Sequence, residues 1–305
     1  QGEKFDLWCW AYVASAAVWA TLALVQWFAA LKWPQIAYGF VGRWPRIHAL
    51  TLEPSYFALY LLPPLFIAMG LGSRLAWPIA VSLALTTART GTAGFVAGLA
   101  VLASVSEGRS LLRSRAALIL VTLCLMAPTS LTTMMGAFSI SLAGSAGDTV
   151  ETPIESLPFR VNVQDHASVE PRLSSWKEAW EVWRNHPWGV GVGGYGYAVP
   201  RAEDPRAHRT TNLILEVLAE SGPLGVMALL LWAAWPAVSL WKERHKPQGL
   251  AMLSALVAQA LAFPFFQTWW RPYLWYSWGL AYGYIQAGHC RQSVEGCARN
   301  RAICN

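Results

Sequence analysis

The chain has 305 residues, of which 55% are hydrophobic and only 13% charged, with mean hydropathy +0.33 and a formal charge of +6. A soluble domain carries about 25% charged residues, so an ordinary water-soluble globule is excluded. The basic residues fall in short clusters between apolar runs, which argues against a nucleic-acid surface, and 18 Trp suit a protein whose helix ends sit at membrane interfaces.

A helix needs about 20 apolar residues to cross a bilayer core. Leu7 to Leu31 meets that length without a charge, and Pro54 to Gly72 follows, also uncharged. Leu75 to Ala88 and Thr90 to Ser106 are shorter apolar runs split by Arg89, and Ala116 to Met135 is a further candidate with Pro128 as a kink. Asn212 to Trp241, Gly249 to Trp270 and Pro272 to Gln286 bring the expected total to about eight spans, hence an all-α, polytopic helical membrane fold. The expected organisation is transmembrane helices over 1–135, a large polar loop over 136–209, further transmembrane helices over 210–287 and a disordered basic tail over 288–305. The chain opens on QGEKFD without an initiating Met and reads as part of a longer protein. Its five Cys form no disulfide framework: Cys9 and Cys124 lie in apolar runs, and Cys290, Cys297 and Cys304 lie in the tail.

If the spans alternate in direction, one side receives Lys4, Arg74, the Arg109/Arg113/Arg115 and Lys242/Arg244/Lys246 clusters, and Arg291, Arg299 and Arg301. Short loops dense in Lys and Arg are cytoplasmic, so both chain ends are expected inside. The other side, expected to be external, receives Arg43, Arg46, Arg89, Arg172, His208 and Arg271. Long loops translocate largely regardless of charge, so the arginines of 136–209 do not conflict with this orientation.

Within that loop, RLSSWKEAWEVWRNHPWG places Ser175 and Glu178 at capping-box spacing, followed by Trp176, Trp180 and Trp183 on one helical face. The pattern predicts an amphipathic helix that stops before Pro187, lying on the membrane surface or over the bundle. The following GVGVGGYGY contains a G-x-G-x-x-G match from Gly191 to Gly196. It lacks the preceding strand and following helix of a dinucleotide site and reads as a flexible turn.

His208, Asn212, Glu216 and Glu220 recur at intervals of four, which puts them along one face of a helix that enters the membrane and meets Gly222-Pro223. Carboxylates in that position are costly unless they face a polar cavity or a partner; Arg89 is the expected partner of Glu220, and plain interfacial solvation is the alternative for His208. Arg89 sits in TTARTGTAGF, whose small residues let helices approach closely. Arg43, Arg46 and Arg172 are individually ordinary loop cations. Gathered on one face, their planar forks suit phosphate oxygens. Glu53, before Pro54, is either a charge partner of a helix N-terminus or part of the same cavity. No metal-ligand motif occurs on the external side.

Four segments carry a family resemblance: RWPRIHALTLEPSYFALYL, TTARTGTAGF, RLSSWKEAWEVWRNHPWGVGVGGYG and AHRTTNLILEVLAESGPLGV. Together they cover most of Arg43 to Val226. The chain resembles the O-antigen ligase and O-antigen polymerase superfamily of bacterial surface-polysaccharide enzymes. The resemblance implies a GT-C-like helical fold with one large periplasmic loop in the bacterial inner membrane. It also implies transfer of glycan from undecaprenyl diphosphate to a sugar hydroxyl, of lipid A-core or a growing polysaccharide, without a metal or other cofactor. By motif, Arg46 (or Arg43) matches the arginine ahead of a transmembrane helix, Arg172 the arginine of the periplasmic helix, and His208 the histidine preceding the E-x-G that here is Glu220-Ser221-Gly222. These three are the expected catalytic residues; Arg43, Glu53, Arg89, Asn212, Glu216 and Glu220 are expected to line the substrate site. LTLEPSYFALY is more similar to polymerases, while HRTTNLILEVLAESGPLG fits ligases and polymerases alike. The expected partners are the lipid-linked donor, the glycan or lipid A-core acceptor and the bilayer, with no nucleic acid. A non-catalytic transporter or flippase of the same lipid-linked glycan is the alternative. Flippases commonly show internal repeats and mid-membrane polar groups, and here no repeat is visible and the polar residues gather at one face.

Overall fold

The computed structural model describes residues 2–37, 39–41, 44–49, 51, 53–127, 169–199, 209–261, 263–265 and 272–303. The helices in chain order are α1 (Gly2–Lys32), α2 (Pro54–Gly70), α3 (Ala76–Leu85), α4 (Arg89–Ala103), α5 (Ser106–Ser114), α6 (Ala116–Ala127), α7 (Val169–Asn185), α8 (Tyr195–Ala198), α9 (Leu213–Lys242), α10 (Pro247–Ala260) and α11 (Pro272–Ile303). One element departs from the all-α expectation. Between α1 and α2 a short hairpin pairs β1 (Gly39–Val41) antiparallel with β2 (Trp44–Arg46), Gly39 opposite Arg46.

Residues of α2 are buried on every side, which makes it the centre of the bundle rather than an amphipathic face helix. Glycines of α4 explain how the neighbouring helices close on it. A Cβ at Gly91 would lie 2.8 Å from that of Ala58, and one at Gly94 would lie 2.7 Å from the carbonyl oxygen of Ala258 in α10. The small residues of TTARTGTAGF therefore give the close approach expected of them. Buried polar side chains tie further pairs: Ser82 Oγ donates to the Ala20 carbonyl (2.8 Å), and Ser277 Oγ donates to Gln259 Oε1 (2.6 Å). The α3–α4 break falls at Arg89 as the sequence reading has it, through Thr87 at φ 53°.

Helix direction alternates, and the ends collect on two sides. At one, Ile47 N–H donates to the Leu85 carbonyl (3.4 Å) at the end of α3, and Glu53 at the start of α2 meets Arg172 of α7. At the other, Gly70 lies against Pro247 and Ala251 of α10, Arg115 lies over Gly72, and His245 after α9 meets Glu107 of α5 at 3.5 Å. The 109–115 and 242–246 clusters thus share one end, and Arg46, Arg89 and Arg172 share the other.

By length and composition two helices are fit to cross a membrane, Phe5–Lys32 and Leu213–Lys242, and a third span arises if α5 and α6, bent by 76°, are taken together. Helices α2, α3 and α4 are apolar but shorter, so the expectation of about eight spans goes beyond what these elements show. The span expected over 249–270 stops at Ala260, where a 3-10 turn (Phe263–Phe265) follows. Its remainder, the end of the 116–135 span, and residues 136–168 and 200–208 of the polar loop lie outside the described residues. The 288–305 segment is corrected: α11 continues through it to Ile303.

The glycine segment is a docked loop, not a free turn. Pro223 has no N–H to bond the Ala219 carbonyl, and Gly222 (φ 62°, ψ −166°) breaks α9 there. The carbonyls left over find donors in the loop: Val190 N–H bonds Ala219 O at 3.0 Å and Gly191 N–H bonds Glu220 O at 2.9 Å. Gly189 (φ +88°) has no room for a Cβ, which would run into the Glu220 carbonyl, whereas Gly193 (φ +78°) has nothing within 4 Å. Gly193→Ala is therefore expected to cost only backbone strain, about 1 kcal/mol. Gly189→Ala adds a clash with backbone and is expected to cost roughly 3 kcal/mol or more. Thermal unfolding in detergent measures both, and equal shifts would refute the docking account.

Candidate functional site

The loop between α1 and α2 is shaped from α1. Gln26 Oε1 accepts from the N–H groups of His48 (3.2 Å) and Ala49 (2.9 Å), and its amide donates to the Ile36 carbonyl (2.9 Å). This fixes the strand carrying half-buried Arg46 against the end of α3, beside the α3–α4 break where Arg89 is exposed. Thr51 Oγ donates to the carbonyls of His48 (2.7 Å) and Glu53 (2.9 Å), closing the turn into α2.

Glu53 occupies the N-cap of α2, but its side chain does not cap the helix. Its Oε1 accepts from Ser55 Oγ (3.0 Å) and faces Arg172 Nη2 at 3.8 Å. The side chains of this pair are 33% and 27% exposed, so it contributes little to stability. Its value is spatial, joining α7 to the mouth of the bundle.

Helix α7 starts six residues earlier than the predicted capping box, so Ser175 lies inside it and bonds back to the Arg172 carbonyl (3.0 Å). The buried stripe is Ala179 and Val182 beside half-buried Ser175, Trp176 and Trp183. Trp180, expected on that face, is exposed and packs its ring edge on Trp183. Ala179, Val182, Tyr195, Val199 and Ala219 form a second, smaller core that holds α7 and the glycine loop to the first half of α9. Burial, then the charges of Glu178 and Glu216, push the Tyr195 hydroxyl well above its ordinary range, so it stays a donor to the Ser175 carbonyl (3.3 Å).

The entry to α9 is clamped residue by residue. Thr211 Oγ accepts from Trp176 Nε1 (3.0 Å), buried Thr210 Oγ accepts from Asn212 N–H (3.3 Å), and Asn212 Oδ1 accepts from Leu215 N–H (3.0 Å). Asn212 is therefore the N-cap of α9, a structural task where a substrate contact was expected. The four-residue series is helical only from Leu213 onward. Glu216 and Glu220, one turn apart, share a residue to which the sequence reading gave no role: Arg209 Nε is 3.9 Å from Glu216 and Nη1 is 3.7 Å from Glu220. Glu220 thus pairs with Arg209 and not with Arg89. Arg209 precedes the helix, which starts at Leu213, so helical spacing gave no signal for it.

Glu216 is only 4% exposed in its side chain, so removing its cation leaves a buried charge uncompensated. Arg209→Gln is expected to destabilise the protein by about 3 kcal/mol, and adding Glu216→Gln to recover part of that loss. Denaturation of the single and double variants tests it; no recovery in the double variant would show that Arg209 does not act through Glu216.

Arg46, Arg89, Arg172, Glu53, Asn212, Glu216 and Glu220 all lie toward this end of the bundle, whereas His208 and Arg43 lie outside the described residues. Among the described residues no group of three His, Cys, Asp or Glu is placed to hold a metal ion. Arginine forks at one end of an apolar bundle suit the oxygens of a multiply charged anion, although Arg209 is already matched by two carboxylates. Fold and composition together define a helical membrane protein with arginines and carboxylates gathered at one end of its bundle. The O-antigen ligase family model matches residues 74–233, just over half the chain, and the chain belongs to that family. The matched segment contains Arg89, Arg172, His208, Arg209, Asn212, Glu216 and Glu220; Arg43, Arg46 and Glu53 precede it. No curated protein sequence matches the chain.

Proposed function

We propose that this protein transfers glycan from undecaprenyl diphosphate to a sugar hydroxyl, of lipid A-core or of a growing polysaccharide, at the periplasmic face of the bacterial inner membrane. The observation that carries the reading is that Arg46, Arg89 and Arg172 lie toward one end of the bundle in a chain of the O-antigen ligase family. Breaking the sugar–diphosphate bond leaves negative charge on the departing phosphate, which Arg172 and Arg46 stabilise. His208 takes the proton of the attacking hydroxyl, a task for which an imidazole is the common side chain near neutral pH.

The test is a reconstituted transfer assay on the full protein, with undecaprenyl-diphosphate glycan and two acceptors, lipid A-core and free glycan chain. Transfer to the first alone makes the protein a ligase, chain extension alone a polymerase, and transfer to neither overturns the proposal. EDTA is expected to leave the rate unchanged. Loss of activity in EDTA, restored by a divalent ion, would sink the assignment of leaving-group stabilisation to arginines alone.

A further inference from the structure

The bundle end away from the Arg172–Glu53 pair carries a cation that the transfer reaction does not use. These ends are separated by α2, whose 17 residues span about 25 Å. Arg115 closes α5 where the chain turns through 76° into α6, and its Nη2 lies over the α2–α3 turn, 3.3 Å from where a Cβ on Gly72 would sit. Its Nε is buried without a hydrogen-bond partner, and among the described residues no ion pair includes Arg115. Half-burying a guanidinium without an anion is unfavourable. Arg74, two residues beyond Gly72, and Arg109 and Arg113, one turn apart on α5, are exposed and also outside every described ion pair. The nearby acids are engaged elsewhere or out of reach. Glu107 pairs with His245 and Glu243 with Lys246, while Asp6 lines a small cavity with Leu71 and Gln248 and pairs with neither Arg74 nor Arg115.

We infer that this turn is a headgroup site for an anionic phospholipid, its phosphate held by Arg115 with Arg74. The neighbouring surface selects a lipid over a free anion. Just beyond Arg115, α6 exposes Leu120, Val121 and Leu123, an apolar track on which acyl chains can lie. The sharp bend lays α5 across the end of the bundle, with its arginines at headgroup level. The inference stands apart from the proposed transfer reaction and needs only that the protein sits in a bilayer.

The experiment equilibrates the full protein with vesicles of phosphatidylcholine and phosphatidylglycerol in equal parts, re-extracts it, and counts retained lipid by native mass spectrometry. Wild type is expected to keep phosphatidylglycerol in preference to phosphatidylcholine. Arg115→Gln is expected to weaken that retention about tenfold, the scale of one charge-assisted contact. Arg74→Gln, a change at an exposed side chain that the fold tolerates, is expected to weaken it about threefold. Equal retention of the two lipids by wild type, or undiminished retention in Arg74→Gln, overturns the site. Displacement of the lipid by millimolar inorganic phosphate would show a free-anion site instead.

Discussion

His208→Ala is expected to lower glycan transfer by roughly 10²–10⁴-fold while donor binding survives, because the change removes the proposed base and leaves the phosphate contacts in place. The loss in His208→Ala should be partly relieved at higher pH, where more acceptor hydroxyl is deprotonated unaided. Arg209, Thr210, Thr211 and Asn212 are each held by a named contact, so the chain immediately after His208 is well placed to survive the substitution. The competing account makes His208 a polar residue at a helix entrance, and then Gln should replace it. Near-normal transfer by His208→Gln at normal protein levels removes His208 from the mechanism; binding lost together with transfer moves it into the phosphate site beside the arginines.

Elements that depend on local rules were legible in the sequence. The end of α7 before Pro187 and the disruption of α9 at Gly222-Pro223 follow from residues with restricted or permissive backbones, and the α3–α4 break falls where Arg89 interrupts the apolar run. The start of α7 was not legible. Ser175 and Glu178 have capping-box spacing, but helix already formed upstream turns Ser175 back on Arg172, and spacing alone does not distinguish a cap from an interior Ser. The basic composition of the tail suggests disorder, whereas α11 continues beyond its apolar stretch to Ile303. The hairpin carrying Arg46 is three residues per strand, and the chain just after it is held at His48 by Gln26 of α1, 22 residues earlier. No local pattern encodes that contact.

Charge placement shows the same division. The structure brings Arg172 and Glu53 together at one end of the bundle. Pairing is set by packing. Glu220 was expected to reach Arg89, but the kink and the docked glycine loop bring the first half of α9 toward α7, where Arg209 reaches both carboxylates. A cation one residue before a clamped helix entrance is better placed for Glu216 than one on α4, and that is apparent only once the clamp is known.

Arg172→Lys is expected to cost about a hundredfold or more in transfer rate while keeping part of donor binding. An arginine fork can make two parallel charge-assisted bonds to a diphosphate, whereas Lys offers a point charge, and the fork matters most as charge develops on the leaving group. The alternative is that Arg172 serves only to brace α7 against α2 through Glu53. The 3.8 Å pair makes the two accounts separable. Glu53→Gln breaks the ion pair but leaves the guanidinium in place. If Arg172 only braces, Glu53→Gln should reproduce the Arg172→Lys loss. If it contacts the donor, Glu53→Gln should reduce transfer by no more than a few fold, the scale of an exposed ion pair. A hundredfold loss in both variants would assign Arg172 to architecture. The hundredfold loss in Arg172→Lys alone, with donor still bound, would place its guanidinium on the departing phosphate.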